Sequence, residues 1–287
     1  MTVLELIERV IARLDQAGVS FGHGTTRAFD EAAWLVLWAL KLPLDDLESV
    51  HALPVNDADE ARVMELVQQR VDSRVPTAYL TGEAWLQGVP FEVDPRVIIP
   101  RSLIAEVIAD GIVDPWLSSH TVDVLDLCTG NGSLAVLAAL AWPEVRVQAS
   151  DISAEALAVA QRNVQRHGLS HRIQLFQGDG LSACPGPHDL ILCNPPYVNR
   201  DAMARLPAEY RAEPALALDG GIDGMDFIRH LMRQLAGSLK PEGVLVLEIG
   251  HERHHFEAAF PHAEPIWLPT HAGDDQVLLL TRDSLPS

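Results

Sequence analysis

The sequence has little cysteine, and this first absence narrows the class of protein. Its 287 residues contain only Cys128, Cys184 and Cys193. An odd number without close paired spacing argues against a disulfide framework and against a cysteine-rich metal site. A reducing compartment fits this usage, so we expect a cytoplasmic protein.

Long apolar runs are also absent. No uninterrupted apolar stretch is longer than the nine residues of Leu134–Trp142, which is much shorter than a membrane-spanning helix requires. The first residues carry Glu5 and Glu8 and lack the basic start and apolar core of a signal peptide. We therefore expect neither a membrane segment nor a membrane partner.

Basic residues are scarce relative to acidic ones. Lys and Arg number 21 against 40 Asp and Glu, a net charge of −19, and residues 1–100 alone carry a net charge of −8. Tight binding to a phosphate backbone relies on Lys and Arg, so direct nucleic-acid binding is not expected. A macromolecular partner is expected to be basic.

The chain divides by pattern into three parts. Residues 1–76 show apolar side chains at helical spacing and no strand pattern, which predicts a small helical domain. Residues 77–100 mix aromatic and β-branched residues with Gly and Pro and predict a linking β-hairpin. In residues 101–287, apolar strands alternate with helices, which predicts an α/β fold with a parallel sheet covered on both faces.

Two strand ends in this last part suggest a ligand site. The first strand runs into Asp126-Leu127-Cys128-Thr129-Gly130-Asn131-Gly132, where glycines allow close approach of the backbone or simply make a turn. The second strand ends at Asp151, whose carboxylate can accept hydrogen bonds from both ribose hydroxyls. A helix-capping role for Asp151 is the alternative, but Ser153 can cap that helix and leave Asp151 free.

The glycine spacing indicates which nucleoside would bind. The loop lacks the GxGxxG spacing that places a pyrophosphate on a helix N-terminus. We therefore predict a nucleoside ligand without phosphates, such as S-adenosylmethionine.

The most informative motif is Asn194-Pro195-Pro196-Tyr197, directly after the fourth apolar strand. Two prolines fix φ and make a rigid corner at the carboxyl edge of the sheet. The Asn194 side chain and the Pro195 carbonyl could accept both N–H groups of a planar amide or amine, and Tyr197 could offer an aromatic face. Holding such a poor nucleophile against an electrophilic methyl group is a positioning and electrostatic task that needs no metal.

These features resemble the protein glutamine N5-methyltransferases over nearly the whole chain. The resemblance is carried by Asn194-Pro195-Pro196-Tyr197, by Ile99-Pro100-Arg101 with Glu106, and by the helical N-terminal part followed by a hairpin. It implies a Rossmann-like S-adenosylmethionine-dependent methyltransferase fold, with a mostly parallel seven-stranded sheet. It also implies that the helical domain recognises the substrate.

Within this family, two branches differ in substrate. Phe21-Gly22-His23-Gly24-Thr25, Asp30-Glu31-Ala32 and Tyr79–Trp85 resemble the bacterial branch that modifies a glutamine of large-subunit ribosomal protein three. The branch that methylates release factors usually has Pro where this chain has Ser102, and Gly where it has Cys128. We therefore favour the ribosomal protein, which is generally basic, as substrate and partner.

The resemblance also implies the site residues. The residues expected around the cofactor are Asp126, Cys128, Thr129, Gly130, Asn131, Gly132, Asp151, Ile152, Asp179, Gly180 and Asn194. The residues expected around the glutamine are Arg101, Asn194, Pro195, Pro196 and Tyr197, the last four also as the catalytic set. Asp179 would lie near the adenine amine or cap a helix, and Gly180 stands where the family usually has a bulky aromatic residue.

Three alternatives remain open at this point. The first is a release-factor methyltransferase. The second is an adenine-N6 DNA methyltransferase, which shares the amine-holding motif but needs a basic target domain that this acidic chain lacks. The third is a non-catalytic ribosome-assembly factor that keeps the fold.

Overall fold

The computed structural model describes residues 1–184 and 186–285, which form two compact units. The helical unit comprises Met1–Ala84 and Leu206–Glu213, and the α/β unit comprises Trp85–Arg205 and Pro214–Ser287. These limits differ from the predicted boundaries at residues 76 and 100. The difference of most consequence is Leu206–Glu213, a distant segment that no sequence signal assigned to the helical part.

Five helices build the helical unit. They are α1 (Val3–Ala17), α2 (Ala28–Leu40), α3 (Leu47–Val50), α4 (Asp57–Ser73) and α5 (Thr77–Thr81). A capping box of Thr2 and Glu5 begins α1, and the Asn56 side chain accepts the Asp59 N–H at 2.9 Å to begin α4. The apolar faces of α1, α2 and α4 bury a shared core that includes Leu6, Val10 and Leu35.

The β-hairpin is shorter than predicted. Its strands are β1 (Glu83–Leu86) and β2 (Val89–Glu92), joined by Gln87 and Gly88 at positive φ, the geometry of a tight two-residue turn. Residues 77–81, which we expected in the hairpin, form α5 instead. This helix ends at Gly82, whose left-handed φ of 74° is typical of a helix C-cap.

A seven-stranded sheet forms the centre of the α/β unit and confirms the predicted fold class. Its strands are β3 (Asp123–Leu127), β4 (Arg146–Asp151), β5 (Ile173–Gln177), β6 (His188–Cys193), β7 (Leu239–Glu248), β8 (Ile266–Thr270) and β9 (Gly273–Thr281). They lie in the order β5-β4-β3-β6-β7-β9-β8, with β3 to β7 parallel and β9 antiparallel to both its neighbours. The chain progresses outward in one direction from β3 and then in the other from β6, so the topological switch point lies between them.

Helices and alternating side chains give the sheet two apolar faces. The helices of this unit are α6 (Ile104–Ala109), α7 (Ser133–Ala141), α8 (Ala154–Arg166), α9 (Arg200–Arg205), α10 (Asp226–Ser238) and α11 (Arg253–Ala259). Val124 and Leu190 belong to one buried cluster, whereas their neighbours Leu125 and Ile191 belong to the other. The alternation follows from the two-residue period of a strand. Across the described ranges, no helix has the length and apolar character needed to cross a membrane.

Candidate active site

Three parallel strands end together at the switch point. Leu127, near the end of β3, lies beside Ser150 of β4 on one side and Cys193 of β6 on the other. The residues that follow, Cys128, Asp151 and Asn194, therefore meet at the same edge of the sheet. This is the edge at which open α/β sheets bind their ligands.

A cavity of about 250 Å³ lies at this edge, within the α/β unit. Most of the predicted site residues line it. Those on the wall are Arg101, Cys128, Thr129, Gly130, Asn131, Asp151, Ile152, Asp179, Gly180, Asn194 and Pro196. Asp126, Gly132, Pro195 and Tyr197 were also predicted, but they are not among the lining residues, and three of these have identifiable structural contacts instead.

The glycine loop takes its shape from left-handed backbone. Cys128, Gly130 and Gly132 have φ of 62°, 55° and 82°. A Cβ on Gly132 would lie 3.1 Å from the Cβ of Ala160, so this glycine allows close packing against α8 rather than contact with a ligand. Cys128 adopts a conformation that costs an L-residue energy, at the position where the related branch usually has Gly.

Asp126 supports the loop from below. Its Oδ2 accepts the Thr129 hydroxyl at 2.5 Å and the Ala135 N–H at 2.9 Å, at the start of α7, and the residue is fully buried. Its Oδ1 has no hydrogen-bond partner in the described part of the chain. Burial raises the pKa of Asp126 to about 7, although the Thr129 and Ala135 hydrogen bonds oppose the increase.

Asp151 lies on the cavity wall. We expected its side chain to be free because Ser153 caps the helix, and this was wrong, since both carboxylate oxygens accept backbone hydrogen bonds. Its Oδ2 accepts the Gly130 N–H and its Oδ1 the Ser153 N–H, each at 2.9 Å. Ser153 does cap α8 as predicted, through the Ala156 N–H at 3.1 Å. Burial raises the pKa of Asp151, and these backbone bonds offset part of the increase. Each carboxylate oxygen can still accept a further hydrogen bond, so the same side chain can fix the loop and bind a hydroxyl.

The end of β5 leads to Asp179 and Gly180. Asp179 is exposed and makes no capping hydrogen bond to the following 3₁₀ turn, Gly180–Ser182, so its capping alternative receives no support. A Cβ on Gly180 would lie 3.4 Å from Cδ2 of His230 on α10. Phe227, one turn earlier on α10, lines the cavity, and sequence reasoning missed this aromatic residue.

Asn194 and Pro196 lie on the wall, whereas the Tyr197 side chain is held elsewhere. The Tyr197 hydroxyl donates to Oε1 of Glu248 at 3.0 Å. A Cβ on Gly250, which has φ of 53°, would lie only 2.5 Å from Cε2 of Tyr197. Tyr197 therefore secures the corner of the motif and does not offer its ring to the cavity.

Glu248, at the end of β7, is a second residue that the sequence analysis missed. Its Oε2 accepts the Ser102 hydroxyl at 2.5 Å and the Leu103 N–H at 2.9 Å, so one buried carboxylate holds both the Asn194–Tyr197 corner and the turn after Pro100. Burial raises the pKa of Glu248, and the bonds from Ser102 and Tyr197 act in the opposite direction. Arg101 lines the cavity beside this turn and donates to the Ile99 carbonyl at 3.1 Å.

The residues after Tyr197 form a loop that is closed at its base. Val198 and Asp219 pair as an isolated β-bridge, and Gly220 donates to the Val198 carbonyl at 2.9 Å. Pro214, Leu216 and Ala217, on the return side of this loop, also line the cavity. This loop thus contributes to the cavity wall.

A mostly parallel sheet of this order, with a glycine loop, an acid at the end of β4 and an Asn-Pro-Pro-Tyr corner at one cavity, defines a Rossmann-like methyltransferase. Residues 112–211 match the Methyltransferase small domain family. The catalytic domain of hMettl16 in complex with the MAT2A 3′UTR hairpin 6 shares the fold. Its TM-score is 0.50 at 14% identity, over 79% of this chain and 81% of that one.

Similarity to named relatives shows the family to which the chain belongs. Ribosomal protein uL3 glutamine methyltransferase of Bordetella pertussis is 52% identical over 99% of this chain and 96% of its own length. The enzymes of the same name from Burkholderia pseudomallei and Neisseria meningitidis serogroup B are 47% and 43% identical, with similar coverage. The chain belongs to the ribosomal protein uL3 glutamine methyltransferase family, which confirms the branch predicted from its motifs.

Proposed function

We propose that this protein transfers a methyl group from S-adenosylmethionine to the side-chain amide nitrogen N5 of a glutamine in ribosomal protein uL3. The observation that carries the proposal is the position of Asn194 and Asp151 on one cavity, at the ends of strands on either side of β3. The residue that we propose to hold the amide and the residue that we propose to bind the ribose therefore line one cavity.

The wall residues fit S-adenosylmethionine. Asp151 has acceptor capacity left for ribose hydroxyls, and Gly130 presents backbone without a side chain. Asn131 belongs to the same wall, and its side-chain oxygen accepts the Ser133 N–H at 3.2 Å. Ile152, half exposed on the wall, and Phe227 provide apolar surface suited to a flat base. Cys128, Thr129, Asp179 and Gly180 complete this proposed cofactor set.

The cofactor supplies a methyl group bonded to a positively charged sulfonium sulfur. The protein's part is to hold the amide, whose nitrogen lone pair is delocalised and weakly nucleophilic. We assign Asn194 to accept an amide N–H through its side-chain oxygen, which orients the nitrogen and stabilises the positive charge that develops on it. The Pro195 carbonyl is proposed as the second acceptor, with Pro196 and Arg101 on the substrate side of the wall.

Tyr197 enters this proposal as a positioning residue. Its hydroxyl donates a hydrogen bond to Glu248, and Gly250 packs against its ring, so we assign it to fix the peptide that carries Asn194. Asp126 and Gly132 shape the loop in the same indirect way, from outside the cavity wall.

The acidic helical part is proposed as the substrate-recognition region. Residues 1–100 carry a net charge of −8, and ribosomal proteins are generally basic, so long-range attraction would favour encounter before the substrate joins its RNA. We propose that the reaction takes place in the cytoplasm. If attraction contributes, the KM for uL3 rises with added salt, and a salt-independent KM would contradict this part of the proposal.

The function is tested by incubating the protein with radiolabelled S-adenosylmethionine and, separately, unmodified uL3, release factor and duplex DNA. We expect label on uL3, and mass spectrometry should place it on a glutamine amide. Label on release factor alone would overturn the substrate assignment, and label on DNA would indicate an adenine methyltransferase. Absence of S-adenosylmethionine binding in calorimetry would favour the non-catalytic assembly factor.

A further inference from the structure

The loop after Tyr197 has its tip in the helical unit. The chain leaves the α/β unit after Arg205, contributes Leu206–Glu213 to the helical unit, and returns at Pro214. We call Leu206–Glu213 the strap. Pro214, Leu216 and Ala217 of the cavity wall follow it directly, so its placement bears on the wall through the chain itself.

A buried acid anchors the strap. Oε1 of Glu209 accepts the Ser20 N–H at 3.0 Å, and it lies 3.3 Å from Arg74 and 3.4 Å from Arg70. Glu209 and Arg70 are 2% and 1% exposed. Burial raises the pKa of Glu209, but the Ser20 bond and the neighbouring arginines outweigh it, so the pKa is lowered and the carboxylate stays charged at neutral pH.

The arginine side of the anchor is itself fixed by the helical unit. Arg70 donates to Glu31 at 2.7 Å and to the Ser20 carbonyl at 3.0 Å, and Arg74 donates to the Ala17 carbonyl at 2.7 Å. A buried charge network of this kind has little freedom to rearrange, because any group that loses its partner is left desolvated.

The motif Phe21–Thr25 contacts Tyr210 and Glu213 of the strap. The His23 ring packs on Tyr210 with centroids 4.2 Å apart, and His23 Nε2 lies 3.5 Å from Glu213. A Cβ on Gly22 would overlap the Tyr210 hydroxyl, so a larger residue at this position would displace the Tyr210 side chain. This motif helped to identify the family branch, yet none of its residues lines the cavity.

From these contacts we infer that Glu209 and Tyr210 are positioning residues for the protein substrate. The helical unit holds the strap, the Val198–Asp219 bridge holds the base of the loop, and Pro214–Ala217 connects the strap to this bridge. The cofactor contacts at Asp151 and Gly130 do not depend on the strap. This inference rests on the proposed function. It adds that residues of the strap position the substrate side of the site.

The test compares Glu209→Ala with Glu209→Gln and with Glu60→Ala, which removes the exposed partner of Arg9 in the same unit and leaves the strap untouched. We expect Glu209→Ala to raise the KM for uL3 by about tenfold, with S-adenosylmethionine affinity in calorimetry unchanged. Glu209→Gln keeps an acceptor for Ser20 and should recover most of the loss. Glu60→Ala should behave as wild type.

Limited trypsin digestion gives an independent readout. Arg205 and Arg211 flank and interrupt the strap and are exposed. Cleavage after them should accelerate in Glu209→Ala and not in Glu60→Ala. Should Glu209→Ala fail to fold, Tyr210→Ala makes the same test while leaving the buried charges in place.

Faster cleavage with an unchanged KM for uL3 would overturn the inference, as would equal losses of substrate and cofactor binding in folded Glu209→Ala or Tyr210→Ala. If the wild-type protein binds S-adenosylmethionine but labels release factor instead of uL3, the substrate assignment is wrong, and the inference about the strap is still open to test. The strap variants are then compared on release factor.

Discussion

The hydroxyl of Tyr197 donates a 3.0 Å hydrogen bond to Glu248, which ends a strand 51 residues further along the chain. The other oxygen of Glu248 accepts from Ser102 and Leu103, so a single buried carboxylate ties the motif that carries Asn194 to the turn that carries Arg101. Both segments line the cavity, so this one side chain connects two parts of its wall.

The first prediction concerns that coupling. Tyr197→Phe leaves one oxygen of a buried carboxylate without its donor, and Glu248→Gln removes the charge that the donor faces. Each single change should destabilise the protein by about 1–3 kcal/mol. Because the two groups are bonded, a double-mutant cycle by chemical denaturation should give a coupling energy of about 1 kcal/mol or more. Additive effects would show that the hydrogen bond contributes nothing.

The glycine beneath the Tyr197 ring allows a matched pair of variants. Gly250 and Gly168 both have left-handed backbone, at φ 53° and 69°, but a Cβ on Gly250 would lie 2.5 Å from the ring, whereas one on Gly168 would meet nothing within 4 Å. Both alanine variants should lose about 1 kcal/mol to backbone strain. Only Gly250→Ala should also lower kcat, measured by methyl transfer, because it displaces Tyr197. Equal kcat values would mean that the corner tolerates this displacement.

The cavity wall was largely predictable because parallel strands bring their carboxyl ends together. Once the strands were recognised, Cys128, Asp151 and Asn194 had to meet at one edge. The direction of a side chain was not predictable in this way. Tyr197 could have faced the ligand, and only the tertiary placement of Glu248 and Gly250 shows that it does not.

Phe227 was not predicted as a site residue because its place on the cavity wall depends on tertiary packing and not on a local sequence pattern. Phe227 reads as an ordinary apolar position of α10, and only the packing of that helix beside Gly180 places it on the wall. Strand β8 contains Pro269, which lacks an N–H for a sheet ladder and so obscured the strand pattern. The structure places β8 at the edge of the sheet, where proline is tolerated.

Substitutions of Asn194 and Asp151 should affect different quantities, the first kcat and the second the affinity for S-adenosylmethionine. Asn194→Ala removes the acceptor that acts on the developing charge, so kcat should fall by about 10²–10³-fold with little change in S-adenosylmethionine affinity. Asp151→Ala should mainly weaken that affinity, measured by calorimetry. Asp151→Asn keeps an oxygen for a backbone N–H and so separates support of the loop from ribose binding. Substantial turnover in Asn194→Ala would contradict its assigned role.

Cys128 offers a test of backbone strain in the glycine loop. It has φ of 62°, a conformation that costs an L-residue about 1–2 kcal/mol and glycine little. Cys128→Gly and Cys128→Ala both remove the thiol, but only alanine keeps the strain. We expect the glycine variant to be more stable than the alanine variant by about 1 kcal/mol in chemical denaturation, after glycine's larger unfolded-state entropy is allowed for. The reverse order would show that the loop is not strained at this position.

The buried Asp126 should make stability depend on pH. Its pKa is raised from 3.8 to about 7 because burial disfavours the carboxylate. Between these values the folded protein binds more protons than the unfolded chain, so the free energy of unfolding should fall as the pH rises from about 4 to 7. Asp126→Asn keeps an oxygen for Thr129 and Ala135 but cannot ionise. Denaturation at several pH values should show a shallower decline in this variant, with a difference between the two proteins on the order of 4 kcal/mol across the range. Parallel pH profiles would show that Asp126 is ionised in the folded protein throughout.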